Sequence, residues 1–183
     1  QNERMIRAVN DLLEVNRIED KDLILRPTNF SLKDLTFKII EEYRKYAAAY
    51  NIKINMVVEG NVPRVFADEE RIRRVIEHLL DNAVRYSVSG GEIMIGIELA
   101  VDYITWRVKD EGRGIPQEEQ QRIFEKYFRS PSAARFQTGG SGVGLFIAQS
   151  IIKLSGGDIG FSSKESKGSI FWFTLPIKQS KYA

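Results

Sequence analysis

Apolar residues recur along this chain with two periods, and the switches between them mark out its elements. From residue 3 to 19, Met5, Ile6, Val9, Leu12, Leu13 and Ile18 follow helical spacing with charges between them. This stripe has little core of its own, so its partner is either the rest of the chain or a second copy. Glu19-Asp20-Lys21-Asp22 is a polar break, and the apolar run Leu23–Leu25 ends at Arg26-Pro27. Ser31 is placed to cap a second helix, with Asp34 in the reciprocal position of a capping box. That helix is predicted to run to about Tyr50, with Leu35, Ile39, Tyr43, Tyr46 and Ala47 on one face. Period two then takes over in Ile52–Val58, a strand. Gly60 and Pro63 mark a turn, and Arg64-Val65-Phe66 is a short second strand.

Asp68 opens a third helix, predicted to reach about Tyr86. Val75, Ile76, Leu79, Leu80, Ala83 and Val84 form its apolar face. His78, Asn82 and Arg85 fall at i, i+4 and i+7, so an imidazole, an amide and a cation share a second stripe. Glu92–Leu99 and Tyr103–Asp110 read as a hairpin. In its second strand Ile104, Trp106, Val108 and Asp110 share a face. A carboxylate there is costly unless paired. It is either exposed at the strand end or an acceptor at the floor of a pocket.

A tight turn, Glu111–Pro116, leads to a short helix predicted over Gln117–Glu125 and an aromatic group, Phe124, Tyr127 and Phe128. Ser130–Ser141 has the small, polar composition of a mobile lid. A helix then runs to Leu154, Gly156-Gly157 stop it, and Asp158–Ser163 and Ser169–Leu175 close the chain as a hairpin. Phe171 and Phe173 lie on one face of the last strand, and Ile170, Trp172 and Thr174 on the other. Strands that come mostly as hairpins argue against a doubly wound parallel sheet. The expected fold is α+β: a two-layer sandwich with one mixed, mostly antiparallel sheet and helices on one face. No internal repeat is evident.

Composition narrows the function classes. The 27 basic and 25 acidic residues give a net charge of +2, without the basic excess of a dedicated nucleic-acid binder. With no cysteine and one histidine, thiolate and multi-histidine metal sites are excluded. No apolar run approaches a membrane span, and no signal-peptide pattern opens the chain. Gln1 is not an initiator methionine, so a piece of a longer protein is expected.

The stretch Gly139-Gly140-Ser141-Gly142-Val143-Gly144-Leu145 places four glycines in six residues and opens into a helix. Such a loop can turn its N–H groups inward, and the helix adds its unpaired amides and the positive end of its dipole. The combination suits phosphate. By itself the loop reads equally well as a flexible hairpin.

Four segments in order resemble the motifs of sensor histidine kinases. Arg74–Tyr86 is similar to their N box, Asp110–Pro116 to the G1 box, Ile123–Arg129 to the F box and Gly139–Leu145 to the G2 box. Residues 3–25, with Asp11–Glu19, resemble the end of the family's second dimerisation helix. The resemblance implies a Bergerat ATP-binding fold at 26–178, a dimerisation-helix remnant and linker at 1–25, and a tail at 179–183. It implies ATP with Mg²⁺. Asn82 would ligate Mg²⁺, while Arg85, Tyr86 and Arg129 would face the phosphates. Asp110 would accept from the adenine amino group and Thr174 would lie near adenine. Gly112 and Gly114 would admit the base, with Ile115 packed on it. Gly140, Ser141, Gly142, Val143, Gly144 and Leu145 would wrap the phosphates. The implied partners are a response-regulator receiver domain and a phospho-acceptor helix of the same or a partner subunit. A homodimer is implied for the longer protein, with this domain cytoplasmic and the parent free to be membrane-bound.

Two positions depart from that pattern. His78 stands where such kinases commonly carry asparagine and where related ATPases carry a glutamate base. Its absence favours phosphoryl transfer over hydrolysis. His78 is either a weak candidate base or a polar contact on the helix face. Ser141 replaces a commoner threonine and keeps the hydroxyl. The rival readings are a serine kinase or ATPase of the same fold, and a non-catalytic ATP-binding module.

Overall fold

The computed structural model describes residues 2–134 and 140–177. Helix α1 (Asn2–Glu19) leads to strand β1 (Thr28–Phe30), helix α2 (Leu32–Ala48), strands β2 (Lys53–Glu59) and β3 (Val65–Ala67), and helix α3 (Glu69–Tyr86). Strands β4 (Glu92–Leu99) and β5 (Tyr103–Asp110), the one-turn helix α4 (Pro131–Ala134), helix α5 (Gly144–Leu154), and strands β6 (Ile159–Lys164) and β7 (Gly168–Pro176) complete the order. Local chemistry sets the helix starts. Ser31 Oγ accepts from Asp34 N at 3.1 Å, and Asp68 Oδ1 accepts from Arg71 N at 3.1 Å. Asp68 Oδ2 also takes Arg26 N at 2.8 Å, fastening the linker to the start of α3.

The main sheet has the order β2-β4-β5-β7-β6. Its β2–β4 pair is parallel and the other pairs are antiparallel. Strands β1 and β3 form a separate antiparallel pair. Period two places Ile93, Ile95, Ile97, Ile104, Trp106, Val108, Phe171, Phe173 and Leu175 on the buried face, under the apolar stripes of α2, α3 and α5. At the centre Trp106 stacks on Phe173 with ring centroids 5.3 Å apart. Its indole N–H is not wasted in the core: it donates to Thr36 Oγ1 at 3.1 Å, and Thr36 donates to Leu32 O at 2.7 Å. The expected α+β sandwich is therefore observed.

The helix predicted over Gln117–Glu125 is a correction. Only Gln120–Arg122 is helical, as a 3₁₀ turn. Of these residues only Ile123 is buried, so there is no apolar stripe for a helix to bury. Gln120 Nε2 instead bonds Ile115 O and Ser163 O, holding the segment as an irregular strap. The aromatic group also divides. Phe124 packs on Phe161, whereas Tyr127 is exposed with positive φ.

Helix α1 docks one of its sides on the rest of the chain. Val15 is fully buried in the core and Glu14 is 3% exposed, whereas Ile6, Val9, Leu12 and Leu13 remain exposed. Gly139 and the 179–183 tail lie outside the described residues. Among the described residues no helix is long and apolar enough to cross a membrane.

Candidate functional site

Helix α3 builds the site because its two faces differ. Ile72, Val75, Ile76, Leu79, Leu80, Ala83 and Val84 are buried in the core. The other stripe, with Arg74, His78, Asn82, Arg85 and Tyr86, walls a cavity of about 1090 Å³. The opposite walls come from the β5 end, the following turn, Arg129 and the glycine loop. Four separated segments thus meet around one space large enough for a mononucleotide.

Asp110 lies at one end of it, buried at 5% exposure. The backbone N–H of Gly112 donates to its Oδ1 at 2.8 Å, and that of Ser169 at 3.3 Å. Both bonds land on Oδ1; Oδ2 has no hydrogen bond among the described residues. Burial pushes the carboxyl up to about 6, against the lowering effect of the two backbone donors. The wall around it is apolar, with Ile115, Ile123, Leu145 and Phe171. A flat base with an amino donor matches this combination.

Gly112 is required here for a reason internal to the protein. A Cβ on it would stand 2.3 Å from Tyr86 O and 2.7 Å from Asp110 Oδ1. Gly114 likewise lies against Lys164 O, so what these two positions admit is neighbouring backbone. Gly112 does not line the cavity, while Gly114 and Ile115 do.

Further along the cavity, Arg85 Nη2 pairs with Asp81 at 2.6 Å, and its other terminal nitrogen lies against Gly140. Burial lowers the Arg85 pKa, but Asp81 outweighs it and the guanidinium is held above its ordinary value. Asn82 opens onto the same space. Among the described residues no three carboxylates or imidazoles cluster as a metal cage. A single amide oxygen suits an ion such as Mg²⁺, which keeps waters and takes further oxygens from a phosphate substrate. The residues present therefore fit that ion.

Gly140, Ser141, Gly142, Gly144 and Leu145 form the loop wall. Helix α5 has no side-chain cap at its start, which leaves first-turn amides for an incoming anion. Val143 is different: it is fully buried in the core, and only its neighbours face the cavity. His78 packs beneath Gly144, where a Cβ would come within 2.9 Å of Nδ1. Its Nε2 is buried without a hydrogen-bond partner. Burial lowers the His78 pKa, and the nearby Asp11 only partly opposes this, so the imidazole is neutral at neutral pH.

Thr174 is corrected. It lies on the opposite face of β7 from the cavity, opposite Thr105, and its hydroxyl accepts from Asp158 N at 3.0 Å. The sheet places Ser169 beside Asp110 instead. Ser169 shares the face of Phe171 and Phe173, so period two pointed to it. Asp11 on α1 was also missed, although its i, i+4 relation to the buried Val15 marks the docked side of that helix.

Residues 67–179 match the family described as histidine kinase-, DNA gyrase B-, and HSP90-like ATPase. The chain is 37% identical over 174 residues to the adaptive-response sensory kinase SasA of Crocosphaera subtropica, covering 94% of this chain and 45% of that protein. It thus spans just under half the length of that relative. Full-length ShkA in complex with AMPPNP superposes with a TM-score of 0.82 at 26% identity, covering 96% of this chain and 36% of that one. Histidine kinase ThkA in complex with the response regulator TrrA gives 0.71 at 26% identity, covering 93% and 49%.

Proposed function

The chain belongs to the histidine kinase-, DNA gyrase B-, and HSP90-like ATPase family, and from that premise we propose that it is the ATP-binding catalytic part of a two-component sensor histidine kinase. It moves the γ-phosphoryl group of ATP to a histidine on another helix, and from there the group passes to a response-regulator aspartate. The observation that carries this reading is Asp110: a buried carboxylate at the apolar end of a cavity whose other end is a glycine loop and an uncapped helix start. Kinship with sensory kinases and likeness to a kinase bound to a response regulator support the substrate and the partner.

In this reading Asp110 accepts from the adenine amino group and Ile115 packs on the ring. Asn82 holds Mg²⁺, which when bound neutralises phosphate charge. Arg85 and Arg129 offset the remaining negative charge, and Gly140, Ser141, Gly142 and the first turn of α5 receive phosphate oxygens. Transfer breaks the bond between the γ-phosphorus and its bridging oxygen, ADP leaves, and a new bond forms to an imidazole nitrogen. The protein supplies position and charge rather than covalent chemistry. Residues 26–178 are the catalytic unit, 1–25 the end of a dimerisation helix with its linker, and 179–183 a tail. The acceptor belongs to another helix, because the one histidine of this sequence, His78, is buried beneath the glycine loop.

The test is to supply a helical hairpin bearing an acceptor histidine together with γ-labelled ATP. Label on that histidine supports the proposal. Inorganic phosphate alone favours an ATPase of the same fold, and neither product favours a binding module.

A further inference from the structure

Helix α1 reaches the nucleotide cavity with a negative charge. Glu14, almost fully buried, pairs with Arg71 and, at 2.9 Å, with Arg74 Nη2 of α3. One turn earlier, Asp11 lines the same cavity as Asn82 and the glycine loop. Its Oδ1 lies 3.6 Å from Arg74 Nη2 and 3.8 Å from His78 Nε2. Burial, with the nearby Glu14, raises the Asp11 pKa, while His78, Arg74 and the Ser141 side chain of the glycine loop, which lines the same cavity, oppose that rise and favour the ionised form. A carboxylate thus occupies surroundings suited to an anion: an arginine, a loop hydroxyl and the start of α5.

Helix α3 is a ruler for what that means. Tyr86, expected on the phosphate side, instead marks the base end, because Gly112 packs on its carbonyl and Arg113 N donates to it at 3.3 Å. Asn82, His78 and Arg74 follow at one-turn intervals, so His78 lies roughly 12 Å from Tyr86 along the axis. That is comparable to the separation of base and terminal phosphate in an extended nucleoside triphosphate. Asp11 stands beside His78 and Arg74, at the terminal-phosphate end, and shares Ser141 with whatever anion the loop receives.

We propose that Asp11 is a specificity-determining residue that, while α1 is docked, opposes the terminal phosphate and so sets the balance between nucleoside triphosphate and diphosphate. The inference rests on the ATP-site reading above. A triphosphate brings an extra anion against Asp11 and competes for Ser141 and Arg74, whereas a diphosphate stops short of them. By the same repulsion, a triphosphate loosens α1 from α3.

Calorimetric titration of the full chain with AMPPNP and with ADP tests this. Asp11→Asn removes the charge at nearly constant shape and is expected to raise AMPPNP affinity about tenfold while moving ADP affinity by less than about twofold. Asp11→Glu, which keeps the charge, retains the wild-type ratio of the two affinities; a merely structural role would be disturbed by both variants. Equal changes for the two nucleotides, or none, overturn the proposal. A second measurement needs no variant: AMPPNP, and not ADP, should speed amide hydrogen exchange across residues 8–19 of the wild-type chain. Equal protection by both overturns it. A wild-type chain that binds neither nucleotide removes the ATP-site reading, and this inference with it.

Discussion

Replacing Asp110 by asparagine should make the empty protein more stable and deprive it of its ligand. Burial raises the Asp110 carboxyl to about 6, against about 3.9 in an unfolded chain. The folded state therefore holds the proton more tightly than the unfolded state. Stability from this group is greatest below pH 4, falls as pH rises through 6, and stays low above it. The ionised carboxylate then costs the fold about 3 kcal/mol at pH 8, and roughly half of that at pH 5. Asparagine can keep the acceptor at Oδ1 for Gly112 N and Ser169 N, at 2.8 and 3.3 Å in the wild type, while carrying no charge. Urea or thermal unfolding without nucleotide should show Asp110→Asn more stable at pH 8 by about 2–3 kcal/mol, or about 4–12 °C in Tm. The gain should shrink by about half at pH 5. At the same time an amide donor would face the adenine amino donor. Calorimetry should show Mg-ATP affinity reduced by about 30- to 1000-fold, or about 2–4 kcal/mol. A variant no more stable at pH 8, or one that binds ATP normally, would refute the reasoning.

Asn82→Asp should weaken Mg-ATP binding at least about tenfold, because a second negative charge meets the phosphates; titration with nucleotide checks it. His78→Asn should leave transfer to a supplied acceptor histidine within about fivefold, and a loss above a hundredfold, about 2.7 kcal/mol of barrier, would make His78 catalytic. Glu14→Gln should destabilise the chain by about 2–3 kcal/mol in urea, since Arg71 and Arg74 lose their shared partner in a partly buried setting. Thr174→Val should leave nucleotide affinity within about twofold, as its hydroxyl serves Asp158 N, whereas Ser169→Val should reduce it by crowding the donor beside Asp110.

Local chemistry carried most of the fold into the sequence. Ser31 and Asp68 cap the helices they were expected to cap, and the β4–β5 hairpin has the bounds that alternation assigned to it. The face that Asp110 shares with Ile104, Trp106 and Val108 was legible for the same reason, whereas its burial was one of two alternatives that the structure decided. Segments held by side-chain to backbone bonds were not legible. The strap after Pro116 depends on Gln120 reaching Ile115 O and Ser163 O, and a pattern of apolar positions says nothing about such a reach. Ser169 in place of Thr174 is a matter of which of two hydroxyls a strand turns inward, and the adjacent phenylalanines held that information. Asp11 became part of the site through tertiary docking of α1. A carboxylate on the face of a charged helix otherwise reads as solvent-exposed; its place one turn before the buried Val15 and its proximity to Arg74 and His78 reveal it.

The reading of the cavity depends above all on adenine meeting Asp110. Titrating the wild-type chain with Mg-ATP and with Mg-ITP, which carries a carbonyl where ATP has its amino group and an N1–H where ATP has an acceptor, tests the base edge that Asp110 is read to meet. The expected result is binding of ATP with ITP weaker by at least about a hundredfold, because two acceptors would then face each other in a buried site. Equal affinity for the two nucleotides would contradict it.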